Sequence, residues 1–445
     1  MAETDAEESE QGPELVERVA AIDIAKASGM VCTRVPHEDK PGRRVQRVWN
    51  VAATSGAILE LADHLICQGI TRVVMEATST YWKPFFFLLE ARGLECWLVN
   101  ARDVKNVPGR PKTDKLDSVW LAKLAERGML RASFVPPKPV RELRDLTRSR
   151  AVLTHERTRH KQRAEKLLED AQIKLSSVIS DIFGVSGRAM LEALIAGERS
   201  PRALAGLAHG TIRASPAALE EALAGGFEEH HAFMLRMLLD TVDHLTVQID
   251  KLTARVTTRL ADLSAAAGDT DDGGPGQGML MPLTDTERLD EIPGVGPATA
   301  QVILAEIGTD MSVFPTADHL ASWARLSPRT FQSGPKNTSG PAGKGNPWLR
   351  GALGEAAVSA ARTDTFLGVR YRRIVKRKGH LKALVAVARS ILVIAWHLLN
   401  DPTARYRDLG PDWHTKNLDP ARKTRDLVRQ LTALGHEVTL TPAGA

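Results

Sequence analysis

The spacing of apolar residues changes near Pro136, and this change divides the chain of 445 residues into a part that can form a β-sheet and a longer part that favours helices. Before Pro136, short runs of β-branched and aromatic residues are separated by turn residues, which is typical of strands. From residue 136 to 263, apolar residues recur at spacings of three and four, the period of an amphipathic helix. We therefore expect an α/β domain followed by helical regions.

Three strands and then alternating helices and strands are predicted for the first part. The segments RVAAIDIAK, GMVCTRVP and VQRVWNV predict an antiparallel meander. Helical spacing over residues 55–69 and 80–92 separates two further strands, ITRVVMEA and LECWLVN, and a helix from about Asp114 to Arg127 closes the unit. This order, β-β-β-α-β-α-β-α, is that of an RNase H-like (RuvC-like) fold.

Composition predicts the remaining domain boundaries. Residues 1–17 carry seven acids and no base, so we expect a disordered acidic tail before a first domain at 18–135. Long helices over 136–263 predict an antiparallel or intermolecular coiled coil, whose leucine stripes would form a core or a dimer seam. A Gly- and Asp-rich linker at 264–284 then precedes a mostly helical C-terminal domain at 285–400. A polar, peripheral tail at 401–445 ends the chain.

Glycine-rich segments interrupt the C-terminal domain. The run LDEIPGVGPATAQVILAEIG predicts two helices joined at residues 293–296, as in helix-hairpin-helix elements, whose backbone amides can bind a phosphate. Glycines in such a turn can also serve packing alone. The stretch LSPRTFQSGPKNTSGPAGKGNPWLRGAL predicts a flexible loop and then a helix from about Pro347. The run KGHLKALVAVARSILVIAWHLL predicts an apolar core helix.

The net charge of +5 is unevenly distributed, since the acidic first 17 residues leave +12 on the remainder. From Arg325 to Arg389, fourteen Lys and Arg residues accompany only Glu355 and Asp364. Such a field suits a polyanion, most simply DNA or RNA, although a basic face can also be merely solvated.

Neither an uninterrupted run of about twenty apolar residues nor a signal peptide is present, so we expect a soluble, cytoplasmic protein. The three cysteines, Cys32, Cys67 and Cys96, are widely spaced and form no CxxC pair. This spacing argues against a disulfide framework and against a zinc ribbon, and we expect reduced core residues.

Four acidic residues occupy positions that are explained most simply if they belong to one site. Asp23 lies within the apolar run of the first strand, where an unpaired charge would cost several kcal/mol, and Glu76 ends the strand predicted beside it. Asp114 and Asp117, at positions i and i+3, share one face of the following helix. Each of these two could instead be a first-turn acid favoured by the helix dipole.

Converging carboxylates are stable around divalent cations. Oxygen ligands without His or Cys favour Mg²⁺ or Mn²⁺ over zinc. Two such ions about 4 Å apart can activate an attacking oxygen and stabilise a leaving oxygen at a phosphodiester. The four acids therefore predict metal-dependent phosphodiester chemistry.

From Arg18 to about Leu399 the chain resembles the insertion-sequence transposases of the DEDD type, a family of bridge-RNA-guided recombinases. The matching motifs are AIDIAK, MEATSTYW and KTDKLDSVWLAKL, followed by IPGVGPATAQVILAEIG and FPTADHLASWARLSPRTFQSGPKNTSGPAGKGNPWLRGAL. Ser118 stands where alanine is common in the family. The resemblance implies that the four carboxylates of a RuvC-like active site are Asp23, Glu76, Asp114 and Asp117.

The resemblance also implies a serine nucleophile in the C-terminal domain that becomes covalently joined to DNA. Ser333 occupies the matching position, and Ser339, which also precedes a glycine, stays an alternative. A hydroxyl among basic residues could approach a phosphate, whereas ordinary turn chemistry is the other interpretation of a Ser-Gly pair. The candidate nucleic-acid contacts are Lys112, Lys115, Arg329, Lys336, Lys344 and Arg350.

We therefore expect a DNA transposase or recombinase that uses Mg²⁺-bound carboxylates and a phosphoserine intermediate. The resemblance implies a noncoding bridge RNA that selects donor and target DNA by base pairing, homodimers that pair into a homotetramer, and a nucleoid-associated location in a bacterium. Three other classes stay open, namely a RuvC-like structure-specific endonuclease without a serine step, a sugar-kinase-like ATPase and a non-catalytic RNA-binding protein. The ATPase lacks a convincing phosphate or adenosine loop.

Overall fold

The structure is a computed structural model, and it describes residues 16–40, 42–100, 114–210, 212–268, 283–328, 330–334, 336–340, 343–417 and 420–441. Two units of structure meet in sequence at the boundary between Val135 and Pro136. Most of the predicted acidic tail and most of the predicted linker lie outside the described residues. The finer domain division stays a prediction.

A mixed five-stranded sheet forms the centre of the first unit. Its strands are β1 (Val19–Ile24), β2 (Ser28–Pro36), β3 (Arg44–Ala52), β4 (Arg72–Glu76) and β5 (Glu95–Val99). The strand order is β3-β2-β1-β4-β5, in which β1 to β3 are antiparallel and β4 and β5 are parallel additions. The helices are α1 (Ser55–Cys67), α2 (Trp82–Ala91) and α3 (Asp114–Glu126). Among the described residues, the predicted order of strands and helices is confirmed.

Alternation along the central strand separates two apolar cores. Ala20 and Ile22 of β1 belong to the core formed with α1 and α2. Val19 and Ala21 belong to the core under α3. Because successive side chains of a strand point to opposite faces, the sheet has helices on both sides, with α3 alone on one of them among the described elements.

The second unit is helical apart from one hairpin within the described residues. Its two long helices are α4 (Lys138–Asp170) and α9 (Glu229–Gly268). Between them in sequence lie four short helices, α5 (Leu175–Val178), α6 (Val185–Ile195), α7 (Pro201–Ala205) and α8 (Pro216–Leu223). Buried side chains of these short helices and of the adjoining ends of α4 and α9 form one apolar cluster.

The two long helices are antiparallel. Hydrogen bonds join them at three levels, between Arg259 and Glu142, Arg157 and Thr246, and His231 and Asp170. Sequence numbers rise along one helix as they fall along the other, which only an antiparallel pair allows. This is one of the two arrangements predicted, whereas coiled-coil packing and a dimer seam stay predictions.

Nine further helical segments of the second unit lie within the described residues. They are α10 (Asp285–Asp290), α11 (Pro297–Ile307), a 3₁₀ turn (Met311–Val313), α12 (Ala317–Trp323), α13 (Pro347–Ala361), α14 (Phe366–Lys378), α15 (His380–Asn400), α16 (Trp413–Lys416) and α17 (Pro420–Ala433). Helix α15 packs against α12, α13 and α14. With a mean hydropathy of 1.7 it is the one described helix long and apolar enough to cross a membrane. Its packing is that of the core helix predicted from its sequence.

A hairpin replaces the flexible loop that was predicted before α13. Strands β6 (Thr330–Ser333) and β7 (Lys336–Ser339) are antiparallel around a turn in which Gly334 has a φ of +57°. The loop prediction is therefore wrong for these residues. The strands have four residues each, too few for alternation to identify them in a stretch rich in Gly, Ser and Lys.

The cysteines are free, but they do not all lie in the core as predicted. Cys32 is buried, Cys96 is half-buried and Cys67 is exposed. Burial raises the pKa of the Cys32 thiol to about 11 and that of the Cys96 thiol to about 12. The prediction is wrong for Cys67, because this residue ends α1 on the solvent side.

The glycine turn between α10 and α11 is shaped by packing. Gly294 has a φ of +88°, and a Cβ atom there would lie 2.3 Å from the carbonyl oxygen of Ala356 and 2.7 Å from the amide nitrogen of Ala360. Gly296, which caps α11, would place its Cβ in open space. The packing interpretation therefore explains Gly294, and phosphate binding at this turn stays a prediction.

We expect Gly294→Ala to destabilise the second unit by about 2 kcal/mol or more, because the new methyl group clashes with the backbone of α13 and requires a left-handed conformation. Gly296→Ala is the matched control and should change stability by less than about 1 kcal/mol. Urea unfolding of the full chain, with amide hydrogen exchange in α13 to identify the unit, measures both. Equal effects of the two substitutions would contradict the close approach at Gly294.

Candidate active site

The parallel pairing of β1 with β4 sets two of the predicted carboxylates side by side. The register pairs Ile22 with Met75, so the next residue on each strand, Asp23 and Glu76, stands at the same level. Neighbouring strands are about 4.8 Å apart. Both acids lie on the face of the sheet covered by α3, because Ala21, two residues before Asp23, belongs to the core under that helix.

Helix α3 runs antiparallel to β1, and its first turn points toward the ends of the strands that carry these acids. The amide of Val16 donates to the carbonyl oxygen of Glu126 at 3.0 Å, and Arg34 Nε donates to the Glu126 carboxylate at 2.6 Å. From this fixed end the helix rises about 18 Å to its first residue, so α3 begins toward the end of β1 that carries Asp23.

Helical periodicity sets Asp117 on the face of α3 turned to the sheet. Asp114, Asp117 and Leu121 recur at spacings of three and four and share one stripe. Leu121 is buried in the core under the helix. Asp117 is half-buried and its neighbour Ser118 is fully buried. The side chains of Asp114 and Lys115 lie outside the described part of the structure.

The structure brings two of the four predicted metal ligands near each other. Among the described side chains, no group of three or more His, Cys, Asp or Glu residues lies close enough to hold a metal ion. The backbone brings Asp23 and Glu76 together and directs the start of α3 toward them. Carboxylate oxygens without His or Cys nitrogen or sulfur donors fit Mg²⁺ or Mn²⁺.

The register of the hairpin distinguishes the two candidate serines. Ser333 pairs with Lys336 beside the turn, whereas Ser339 pairs with Thr330 at the opposite end. Ser333 is therefore at the tip of the hairpin and Ser339 at its base. For Ser333, Lys336 and Ser339 only the backbone belongs to the described part. Lys112 and Arg329 lie outside the described residues.

The segment that follows the hairpin is held by hydrogen bonds to backbone atoms. Arg350 donates to the carbonyl oxygens of Gly343 and Lys344, at 2.8 Å each. Gly345 has a φ of +54°, and a Cβ atom there would lie 2.5 Å from the carbonyl oxygen of Ala324. Arg350 is thus engaged within this segment, while Lys344 is exposed and accessible to a ligand.

A buried carboxylate fixes the end of the same segment. Glu306 of α11 is fully buried and accepts two hydrogen bonds from the guanidinium of Arg148 in α4, at 2.8 Å each. It also accepts one from Nδ2 of Asn346 at 2.6 Å. Asn346 caps α13, because its side-chain oxygen accepts from the amides of Trp348 and Leu349. Glu306 therefore ties α4 and α11 to the start of α13.

Two further arginines of α4 extend this buried network. Arg144 donates to the carbonyl oxygens of Ala305, at 2.9 Å, and of Glu306. Arg150 donates to the side-chain oxygen of Gln301 at 2.6 Å. Burial lowers the pKa of Arg144 to about 10, against the opposing charge of Glu306, and burial also lowers the pKa of Arg150.

Glu306 was not predicted from the sequence, although its apolar surroundings set it apart. Glu306 stands in the apolar run VILAEIG, as Asp23 stands in VAAIDIA. A buried acid needs a partner in either case. The partners of Glu306 lie more than 150 residues earlier in the chain and 40 residues later, so sequence spacing did not reveal them.

Two family profiles match the chain. Residues 20–173 match the DEDD-type transposase profile of IS110, described as Transposase. Residues 286–372 match the profile described as Transposase IS116/IS110/IS902 family. The first segment contains the four predicted carboxylates and the second contains Ser333. Together the two segments span more than half of the chain.

Relatives come from insertion elements and from a gene-inversion system. The insertion element IS900 uncharacterized 42 kDa protein of Mycobacterium paratuberculosis is 29% identical over 398 residues, which cover 86% of this chain and 95% of the relative. The insertion element IS110 uncharacterized 43.6 kDa protein of Streptomyces coelicolor is 37% identical over 118 residues, 26% of this chain and 29% of the relative. The pilin gene-inverting protein of Moraxella bovis is 36% identical over 115 residues, 25% of this chain and 35% of the relative.

We expect Glu306→Gln to lower the free energy of unfolding of the second unit by about 3 kcal/mol or more, because buried guanidinium groups would lose their counter-charge. Asp364→Asn is the control. Asp364 is 81% exposed and pairs with Arg372 at 3.0 Å, so its loss should change stability by less than about 1 kcal/mol. Urea unfolding compares the two variants. A Glu306→Gln protein as stable as the control would show that the network is not needed for folding.

Proposed function

Because the chain belongs to the IS110 family of insertion-sequence transposases, we propose that it cuts and rejoins DNA strands during transposition. The observation that carries the proposal is the pairing of β1 with β4, which sets Asp23 beside Glu76 on the face under α3. The Moraxella relative is named for inverting a gene, which supports DNA rearrangement as the reaction class.

The first unit supplies the carboxylates, and we infer that it is an RNase H-like (RuvC-like) domain. The strand order, with an antiparallel meander followed by two parallel strands, supports this inference. Asp23 on the central strand, Glu76 on its parallel neighbour and two acids at the start of a covering helix are consistent with a DEDD active site.

The residues that would hold Mg²⁺, or Mn²⁺ in its place, are Asp23, Glu76, Asp114 and Asp117. When bound, the ions polarise the phosphodiester and stabilise charge on the attacking and leaving oxygens. The chain contributes the positions of the acids. The sheet fixes two of them through backbone hydrogen bonds, and helix α3 carries the other two on one stripe of its first turns.

The proposed nucleophile is Ser333, which lies beside the turn of the hairpin. Its hydroxyl oxygen forms a bond to phosphorus, and the bond from phosphorus to one strand's oxygen breaks. The serine proton is lost, and a proton is taken up by the departing strand, which ends as a hydroxyl. The hydroxyl of the exchanged strand reverses the step, so the number of phosphodiester bonds is unchanged and no ATP is needed.

The network around Glu306 supports this role of the hairpin, because it holds the segment through which β7 continues into α13. Neither unit contains both the carboxylates and Ser333, so we propose that each unit alone is inactive. Ser339 at the base of the hairpin is the alternative nucleophile.

Partners and location follow from the family. A noncoding bridge RNA would select donor and target DNA, and the basic segment from Arg325 to Arg389 would contact phosphates and A-form shape. Lys344 is an exposed candidate contact, and Lys112, Lys115, Arg329 and Lys336 stay candidates. Homodimers that pair into a homotetramer would hold two duplexes, with α4 and α9 as the coiled-coil seam. We place the reaction in the bacterial cytoplasm, at the nucleoid.

A second candidate function is a RuvC-like structure-specific endonuclease that cleaves branched DNA without a covalent step. The observation in its favour is that the pairing of Asp23 with Glu76 lies wholly within the first unit. Such an enzyme would need the carboxylates but not Ser333.

We expect Ser333→Ala to lose the covalent protein–DNA adduct by more than about 10³-fold, because the nucleophilic oxygen is removed. Ser339→Ala is the matched control and should form the adduct as the unaltered chain does. The assay mixes the purified full chain and its copurified RNA with DNA carrying the element ends and Mg²⁺, and resolves adducts on a denaturing gel. Cleavage by Ser333→Ala at the original rate would favour the endonuclease, and loss of the adduct only in Ser339→Ala would reassign the nucleophile.

A further inference from the structure

Helices α14 and α15 form a hairpin around Gly379 with arginines at facing positions. Arg370 lies nine residues before Gly379 and Arg389 ten residues after it. At 1.5 Å per residue both stand about 14 Å from the turn, so they meet at one level of the two packed helices. Both side chains are half-buried.

These two arginines carry donor atoms without acceptors. The Nε atoms of Arg370 and Arg389 are buried and have no hydrogen-bond partner among the described residues. Arg389 uses one terminal nitrogen to bind Asp318 at 2.7 Å, and that aspartate is 79% exposed. Buried N–H groups in native proteins are nearly always paired, so these donors are available to an acceptor that is not among the described residues.

The charges around Arg370 have the same sign. Burial lowers the pKa of Arg370, and the next causes are the positive charges of Arg389 and Arg373. Helix α14 contains no acid, and its basic residues are Arg370, Arg372, Arg373, Lys376, Arg377 and Lys378. Half-buried cations that repel one another are stabilised by an anion between them.

We propose that Arg370 and Arg389, with Arg373 beside them, bind a phosphodiester group of a nucleic-acid backbone. A phosphate presents several acceptor oxygens, and the guanidinium fork donates to them from Nε and a terminal nitrogen together. Lys376, Arg377 and Lys378 in the last turn of α14 extend this site in one direction, which suits a polymer of phosphates better than a single small anion. The site deepens the proposed function, on which it rests only for the statement that the chain binds nucleic acid.

The helix dipole does not explain this pair. Lys376, Arg377 and Lys378 stand in the last turn of α14, where positive charge is favoured by the C-terminal end of the helix. Arg370 and Arg389 lie in the helix interiors, and the interaction with the dipole falls off within one turn. Their buried Nε atoms therefore require a separate explanation.

The test compares Arg370→Gln and Arg389→Gln with Arg372→Gln, a matched control on the same helix whose guanidinium is exposed and pairs with Asp364 at 3.0 Å. All are made in the full chain that also carries Ser333→Ala, so that binding is measured without cleavage. Affinities for the copurified RNA and for duplex DNA are measured at several salt concentrations. Thermal melting should show the two glutamine variants folded, because each substitution removes a repelling charge.

We expect each of Arg370→Gln and Arg389→Gln to weaken binding by about tenfold and to reduce the salt dependence by about one phosphate contact. The Arg372→Gln control should lose less than about threefold in affinity. The double variant should lose less affinity than the product of the two single fold-losses, because both arginines bind one phosphate. A loss confined to RNA or confined to DNA identifies the source of the phosphate.

Arg370→Lys keeps the positive charge but removes the forked guanidinium group. It should therefore lose most of the binding affinity that Arg370→Gln loses. It also serves as the test if the glutamine variants fail to fold. Unchanged affinities and salt slopes, or an equal loss in the Arg372→Gln control, would overturn the site. Because binding is measured in a cleavage-deficient chain, failure of the recombinase proposal would leave this result unaffected.

Discussion

The proposed active site depends on the parallel pairing of β1 with β4, because Asp23 and Glu76 directly follow the paired residues Ile22 and Met75 on strands about 4.8 Å apart. Two ionised carboxylates at this spacing repel by about 3 kcal/mol at an effective dielectric constant of 20. A fold that keeps both acids there needs positive charge close to both. In the proposed active site, a divalent cation would supply this charge. Helix α3, held by Glu126 at its far end, begins toward the same end of the sheet.

The second unit depends on a different kind of buried charge. Glu306 is surrounded by guanidinium and amide donors from α4 and from the start of α13, so this buried carboxylate has specific partners. Such a network contributes less to net stability than an apolar core would, because desolvation offsets much of the attraction. It does impose one arrangement of three segments. We infer that this arrangement is what the serine hairpin requires from the rest of the unit.

Apolar spacing predicted the helices and strands that are long enough for their periodicity to be recognised. The order of strands and helices in the first unit, the two long helices and the core helix α15 all followed from apolar spacing. The hairpin β6–β7 did not, because four-residue strands in a Gly- and Ser-rich stretch have no readable alternation. Apolar context identified Asp23 as unusual, and the register then placed Glu76 beside it. Glu306 stands in a similar apolar context, but its partners are far away in sequence and only the packed structure reveals them.

The most direct measurement is anomalous diffraction from crystals of the full chain soaked in Mn²⁺. The account predicts a peak within about 2.5 Å of the carboxylate oxygens of both Asp23 and Glu76, and its loss in an Asp23→Asn crystal of the same form. A saturating soak that leaves this position empty, or a manganese ion bound at other residues with Asp23 and Glu76 both uncoordinated, would contradict it.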